Sequence, residues 1–150
     1  MLRWLIFLGS LLVVNFSCSK PPEPLPPVDE TKQEWYGEAV RQVKKMAVDA
    51  ESAFRAGKSD EASALIQEGE KVTARLLKVP HPTQEAVEAA SDLDDLYGRM
   101  LLSNRHYGWA RMVFQRNLAR WKNWQPQSEE VIRRRKQAEA GIIECDKNIR

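Results

Sequence analysis

The segment AESAFRAGKSDEASALI, residues 50–66, decides the fold class of this chain. On both sides of Gly57, alanines and larger apolar residues recur every three or four positions, which is the spacing of one face of an α-helix. Glycine readily adopts the left-handed conformation that ends many helices, and Ser59 followed by Asp60 and Glu61 is typical of a helix N-terminus. The segment therefore predicts two helices joined in a hairpin, with Ser59 capping the second.

The helical pattern continues to both sides of this hairpin, from residue 31 onward. Alternation with period two is not sustained, and the good helix formers Ala, Leu, Glu, Lys, Arg and Gln dominate. Prolines interrupt the pattern around residues 80–82 and at Pro126, where a helix cannot continue. We predict an all-α fold of about five amphipathic helices in antiparallel hairpins. The expected elements are hairpins at about 32–79 and 84–124 and a C-terminal helix at about 128–147, with Thr83 and Ser128 as N-caps.

Two of these hairpins resemble tetratricopeptide repeats. That family places a small residue on its first helix about twelve positions before an alanine on its second, and a large apolar residue about four positions later. The residues on this grid are Ala50, Gly57, Ala62 and Ile66 in one hairpin and Gly98, Leu101, Tyr107, Ala110 and Phe114 in the other. The equivalent alanines are 48 residues apart, against a family period of about 34. The resemblance implies helices that nest closely because small residues face bulky ones.

The N-terminus resembles the export signal of a bacterial lipoprotein. Arg3 supplies a positive charge, and residues 4–16 form a mostly apolar run shorter than the ~20 residues that span a bilayer as a helix. Ser17 precedes Cys18 as in a lipobox, although Asn15 stands where that family favours leucine. The resemblance implies that residues 1–17 are a signal peptide. Two alternatives remain, an uncleaved N-terminal anchor and a signal peptide without lipidation.

The same resemblance implies a location in the cell envelope. Cys18 would carry a thioether-linked diacylglycerol, which is the only covalent group that we expect. Ser19 is not the aspartate that retains lipoproteins in the inner membrane, so the periplasmic side of the outer membrane is favoured. Residues 18–30 form a proline-rich tether, and an extended polyproline segment of this length spans roughly 30–40 Å at ~3.1 Å per residue.

Catalytic chemistry finds little support in the sequence. The two histidines, His81 and His106, have no further histidine or cysteine at metal-ligand spacing, and phosphate loops and nucleophile elbows are missing. The acidic cluster of Asp92, Asp94 and Asp95 is typical of a solvated helix surface. We therefore predict that the protein is not an enzyme and binds neither a metal nor a cofactor.

Charge is segregated along the chain. Residues 84–95 hold five acidic and no basic residues, whereas residues 99–136 hold ten basic residues against Glu129 and Glu130. Tryptophans interleave with these arginines, as they do in many interfaces. The predicted contact face comprises Trp109, Arg111, Arg116, Arg120, Trp121, Trp124, Arg133, Arg134 and Arg135.

Several interpretations of this face remain open. An acidic envelope protein suits it best, anionic lipid or polysaccharide is an alternative, and the export signal argues against nucleic acid. Arginine stems covering tryptophans on a solvated surface would give the same pattern. Trp121 and Trp124 either close the core against the last helix or join Trp109 in an exposed patch.

These features together predict a lipid-anchored helical scaffold for protein–protein interaction. The alternative is an accessory structural subunit of a larger membrane complex, with the N-terminal segment retained as its anchor. Cys145 is then the single remaining thiol, expected as a small buried residue, with an intermolecular disulfide as the alternative.

Overall fold

The protein is described by a computed structural model that covers residues 28–149. The predicted signal peptide, Cys18 and residues 18–27 of the tether lie outside the described residues. A short 3-10 turn at Glu30–Lys32 precedes five α-helices. They are α1 (Glu34–Arg55), α2 (Ser59–Leu76), α3 (Gln84–Ser103), α4 (Tyr107–Lys122) and α5 (Glu129–Asn148). Between residues 28 and 149 the chain forms no strand, so the predicted all-α fold of antiparallel hairpins is confirmed.

α3 is the central helix, because it contacts each of the other four. α1 and α5 flank it without backbone contact with each other, α4 is its hairpin partner, and α2, the hairpin partner of α1, also packs beside it. The Thr83 backbone N–H, at the start of α3, donates to the Tyr36 hydroxyl in the first turn of α1 at 3.1 Å. Val131, at the start of α5, packs with Val87, at the start of α3. The N-termini of α1, α3 and α5 therefore share one end of the molecule, and the three helices run in one direction.

The helix ends follow the predicted chemistry with two exceptions. Gly57 has a φ of 74°, and the Thr83 and Ser128 side chains accept backbone hydrogen bonds at the starts of α3 and α5, all as predicted. Ser59 is not a cap, because it already lies in α2 and Lys58 occupies the capping position without a side-chain bond. α2 also ends at Leu76, three residues before the predicted position, because the backbone N–H groups of Lys78 and Val79 bond to the third residue back, Arg75 and Leu76, rather than to the fourth.

Small residues allow close helix contacts in both hairpins. Ala50, Ala62 and Ile66 lie in one buried cluster with side chains of α3. Phe114 belongs to a second cluster with Cys145. The ring of Phe114 lies between two glycines: a β-carbon would come within 2.6 Å of it at Gly98 and within 2.7 Å at Gly141. The predicted nesting of small against bulky residues is thus present in the core.

No helix within residues 28–149 has both the length and the apolar character needed to cross a membrane.

Candidate functional site

Two of the predicted contact residues belong to the core. Trp121 is 0% exposed and packs with Val87 and Val131, and its indole N–H donates to the Ser91 hydroxyl at 2.9 Å. Trp124 is partly buried and meets Trp121 edge-on, with ring centroids 6.0 Å apart. These tryptophans close the core against α5, so the first of the two interpretations of this pair describes the structure and Trp121 is not available at the surface.

Arg116 and Arg120 of α4 converge on Asp94 of α3. Asp94 is 3% exposed, and the Arg116 Nη2 atom donates to its Oδ1 at 2.5 Å while Arg120 contacts the other oxygen. Arg116 also reaches Glu70 of α2 at 2.8 Å, so the cluster joins three helices. Burial lowers the pKa of the Arg116 guanidinium, but its hydrogen bonds with Asp94 and Glu70 outweigh this and raise the pKa overall. The prediction of a solvated acidic cluster is wrong for Asp94, because it faces these arginines.

The arginines of α5 are also paired. Arg134 donates to Asp92 of α3 at 2.5 Å and to Glu130 at 2.6 Å, and its guanidinium lies 5.6 Å from the centre of the Trp121 ring. Arg133 shares the Glu130 carboxylate at 2.6 Å. Hydrogen bonds from Arg133 and then Arg134 lower the pKa of Glu130 to about 2, although partial burial opposes them.

The remaining two arginines of the predicted face also have acidic neighbours. Arg111 of α4 donates to Asp146 of α5 at 2.6 Å, and Arg135 lies 3.8 Å from Glu139. All six arginines of that face therefore have carboxylate partners, several of them on other helices. The acidic stretch of α3 thus pairs with arginines of α4 and α5 where these helices pack together.

A groove of about 690 Å³ lies between α1 and α3, with Arg134 of α5 at its edge. Ala47, Val48 and Leu96 provide its apolar lining, and Val48 is 65% exposed. The side chains on its walls carry both signs of charge and are Lys44, Glu51, Arg55, Glu88, Asp92, Asp95, Arg99 and Arg134. Sequence reasoning missed this groove, because its walls come from three helices that are distant in the chain.

One ion pair links the two walls of the groove. Arg99 of α3 binds Glu51 of α1 through two nitrogen–oxygen contacts, at 2.5 and 3.3 Å, and Asp95 at 2.9 Å. The hydrogen bond from Arg99 is the main reason why the pKa of Glu51 is lowered. The Glu51 carboxylate is therefore an ionised acceptor rather than a proton donor.

The outer side of α4 carries two large exposed apolar side chains. Trp109 is 66% and Met112 is 59% exposed, and they lie one turn apart. A β-carbon added at the neighbouring Gly108 would meet nothing within 4 Å. Of the nine predicted contact residues, the six arginines form ion pairs and Trp121 and Trp124 pack in the core. Trp109 is the remaining one, and its side chain projects into solvent.

The fold assembles neither a metal site nor an exposed thiol within residues 28–149. Within the described residues, no three His, Cys, Asp or Glu side chains converge as a metal site requires. Cys145 is 0% exposed, as predicted for a small buried residue, and burial raises the pKa of its thiol.

No family model, curated protein or solved structure matches the chain. The groove and the outer side of α4 are two surfaces of the described residues that are open to a partner.

Proposed function

We propose that the protein is a lipid-anchored helical scaffold that docks a partner protein in the bacterial cell envelope. Residues 1–17 act as the signal peptide, Cys18 carries the diacylglycerol, and the proline-rich segment spaces the helical domain from the membrane. The domain then lies on the periplasmic side, with the outer membrane favoured.

The observation that carries the docking role is the groove between α1 and α3. Its volume of about 690 Å³ lies in the range of about 300–1,000 Å³ that is typical of small-molecule pockets, so it has room for a few side chains of a docked segment. An exposed aliphatic side chain, Val48, lies among charged side chains, two of which, Glu51 and Arg99, form an ion pair between α1 and α3. A peptide segment with one apolar side chain and charged neighbours of both signs matches this lining.

The electrostatics of the groove support binding rather than catalysis. A carboxyl group acting as a general acid near neutral pH needs a raised pKa. Arg99 instead lowers the pKa of Glu51, and Asp92 and Asp95 each accept hydrogen bonds from an arginine.

The anchor is tested by the intact mass of the protein purified from membranes of its native host, beside a Cys18→Ala variant. We expect a mature chain that begins at Cys18 with added diacylglycerol mass, and no such mass in the variant. An unmodified chain still beginning at Met1 would overturn the lipoprotein.

The groove is tested by placing a photoreactive benzophenone residue at position 48 of the full chain in native membranes. Position 67, an exposed site on α2 outside the groove, is the matched control. We expect adducts with one protein from position 48, which Lys44→Glu changes in yield because it reverses a wall charge. Equal adducts from positions 48 and 67 would contradict the proposal.

The second candidate function is an accessory structural subunit of a larger membrane complex, with the N-terminal segment retained. Exposed Trp109 and Met112 favour it, because exposed apolar side chains that lie together are often covered in assemblies. The mass measurement separates the two candidates, since only the subunit keeps Met1 and an unmodified Cys18.

A further inference from the structure

The outer side of α4 presents an uncharged exposed stripe. Gly108, Met112, Gln115 and Ala119 follow one another at intervals of four, three and four residues, and all four are exposed. This spacing places them on one face of the helix, with Trp109 beside them. Small residues at both ends of the stripe allow another helix to approach closely, and exposed tryptophan is a common anchor of interfaces.

The charge around this stripe is positive. No acidic residue occurs between Asp95 and Glu129, so α4 has only basic charges. Arg111, Arg116 and Arg120 are partnered by Asp146, Glu70 and Asp94, whereas Arg105 and Lys122, at the two ends of α4, make no ion pair within residues 28–149. Five cations of residues 105–122 thus meet three carboxylates, which leaves an excess of positive charge at the two ends of α4.

The positive charge of α4 indicates which kind of partner binds the stripe. A second copy of the chain would bring the basic α4 against another basic α4, which like-charge repulsion disfavours. We infer that the outer face of α4 is a second docking surface, and that it receives an acidic amphipathic helix of a partner protein. The inference rests on the proposed function in that the scaffold is anchored and binds proteins.

The position of Trp109 favours a protein over the anchoring membrane. The described chain begins near the N-terminus of α3, whereas Trp109 follows the C-terminus of α3. A helix of 20 residues spans about 30 Å at 1.5 Å per residue. The tryptophan therefore lies at the end of the bundle away from the tether. Since the groove is lined by α1, α3 and Arg134 of α5, both surfaces can be occupied at once.

The test uses the full chain in membranes of its native host, with a benzophenone residue at position 112. We expect an adduct whose crosslinked partner peptide is helical in pattern and has a net negative charge. Trp109→Ala should reduce its yield at least tenfold, and Arg105→Glu should reduce it as well. A synthetic peptide of the crosslinked segment should bind the purified protein, and Trp109→Ala should weaken this binding at least tenfold.

Other adducts would overturn the inference. Such adducts are lipid, a second copy of the chain, or a peptide without net negative charge. A crosslinking yield no higher than at position 67 would also overturn it. The adducts from position 48 distinguish the two proposals. If they persist while those from position 112 fail, the groove proposal stands and only the second surface is lost.

Discussion

Phe114 lies where α3, α4 and α5 meet, and its ring touches the backbone of two glycines. At Gly98 and Gly141 the absence of a β-carbon is a packing requirement, because the ring is enclosed from both sides. Gly108, on the outside of α4, has no such neighbour. Glycine therefore has opposite consequences at buried and exposed positions of the same bundle.

Gly98→Ala and Gly141→Ala should each destabilise the protein by about 1–3 kcal/mol, because the added methyl group forces the ring to move in a packed core. Gly108→Ala should stabilise it by up to about 1 kcal/mol, since alanine is the better helix former and meets nothing. Urea denaturation of the three variants measures these changes. The same sign at all three positions would contradict the packing of Phe114.

Asp94→Asn should lower the free energy of unfolding by about 2–3 kcal/mol. The change leaves Arg116 and Arg120 facing a neutral group, and the loss lies below the ~3–5 kcal/mol of a fully buried pair because Arg116 is half-exposed. Asp92→Asn is the matched control, because that carboxylate is exposed and should cost less than about 1 kcal/mol. Equal losses in chemical denaturation would show that Asp94 is no more important than a surface acid.

The burial of Asp94 could not be read from the sequence. Asp92, Asp94 and Asp95 look alike in a run of acidic residues, and the apolar spacing of α3 does not say which side another helix covers. The arginines that decide the matter are 22 and 26 residues away. A long-range pair of this kind becomes visible only when the helices are placed side by side.

At the scale of the helices, interactions between neighbouring residues were sufficient to predict most helix ends. Proline breaks, the left-handed Gly57 and the caps at Thr83 and Ser128 depend on neighbours within a few residues, so the sequence predicts them. Ser59 has the same residue type as a good cap but falls one position inside α2. That error arises because the turn at Gly57 is shorter than the residue pattern suggests.

Ser128→Ala and Thr83→Ala should each cost about 0.5–2 kcal/mol, because each removes the acceptor for a backbone N–H at a helix start. Ser59→Ala should change stability by less than about 0.5 kcal/mol, since its side chain makes no capping bond. Thermal and urea unfolding of the three variants give the comparison. A loss at Ser59 as large as at Ser128 would place the cap of α2 where the sequence pattern put it.

For the whole molecule, the architecture was more predictable than its surfaces. Helical periodicity gave the five helices and their hairpins, because each apolar stripe is a local property. The groove needs Lys44, Asp92 and Arg134 to come together from three helices. The exposure of Trp109 and the burial of Trp121 likewise depend on which side of α4 the other helices cover.

The reaction rate of the Cys145 thiol measures how firmly α5 is attached to the rest of the bundle. In a Cys18→Ala background, its thiol should react with a disulfide reagent at least ~100-fold more slowly than in urea, because α5 must first open at a cost of about 3 kcal/mol. Ile143→Cys in a chain that also carries Cys18→Ala and Cys145→Ala should react freely, since position 143 is exposed. Rapid labelling of Cys145 in the native protein would mean that α5 is loosely held.

The buried carboxylate of α3 also suggests an order of events as the chain emerges from its N-terminus. Asp94 appears 22 and 26 residues ahead of its two arginines. The α1–α2 hairpin has its own local contacts and can close first. The inner face of α3 cannot be covered until α4 is available, since a buried charge without a partner is costly. We therefore expect the N-terminal hairpin to form first, with α3 and α4 joining it together.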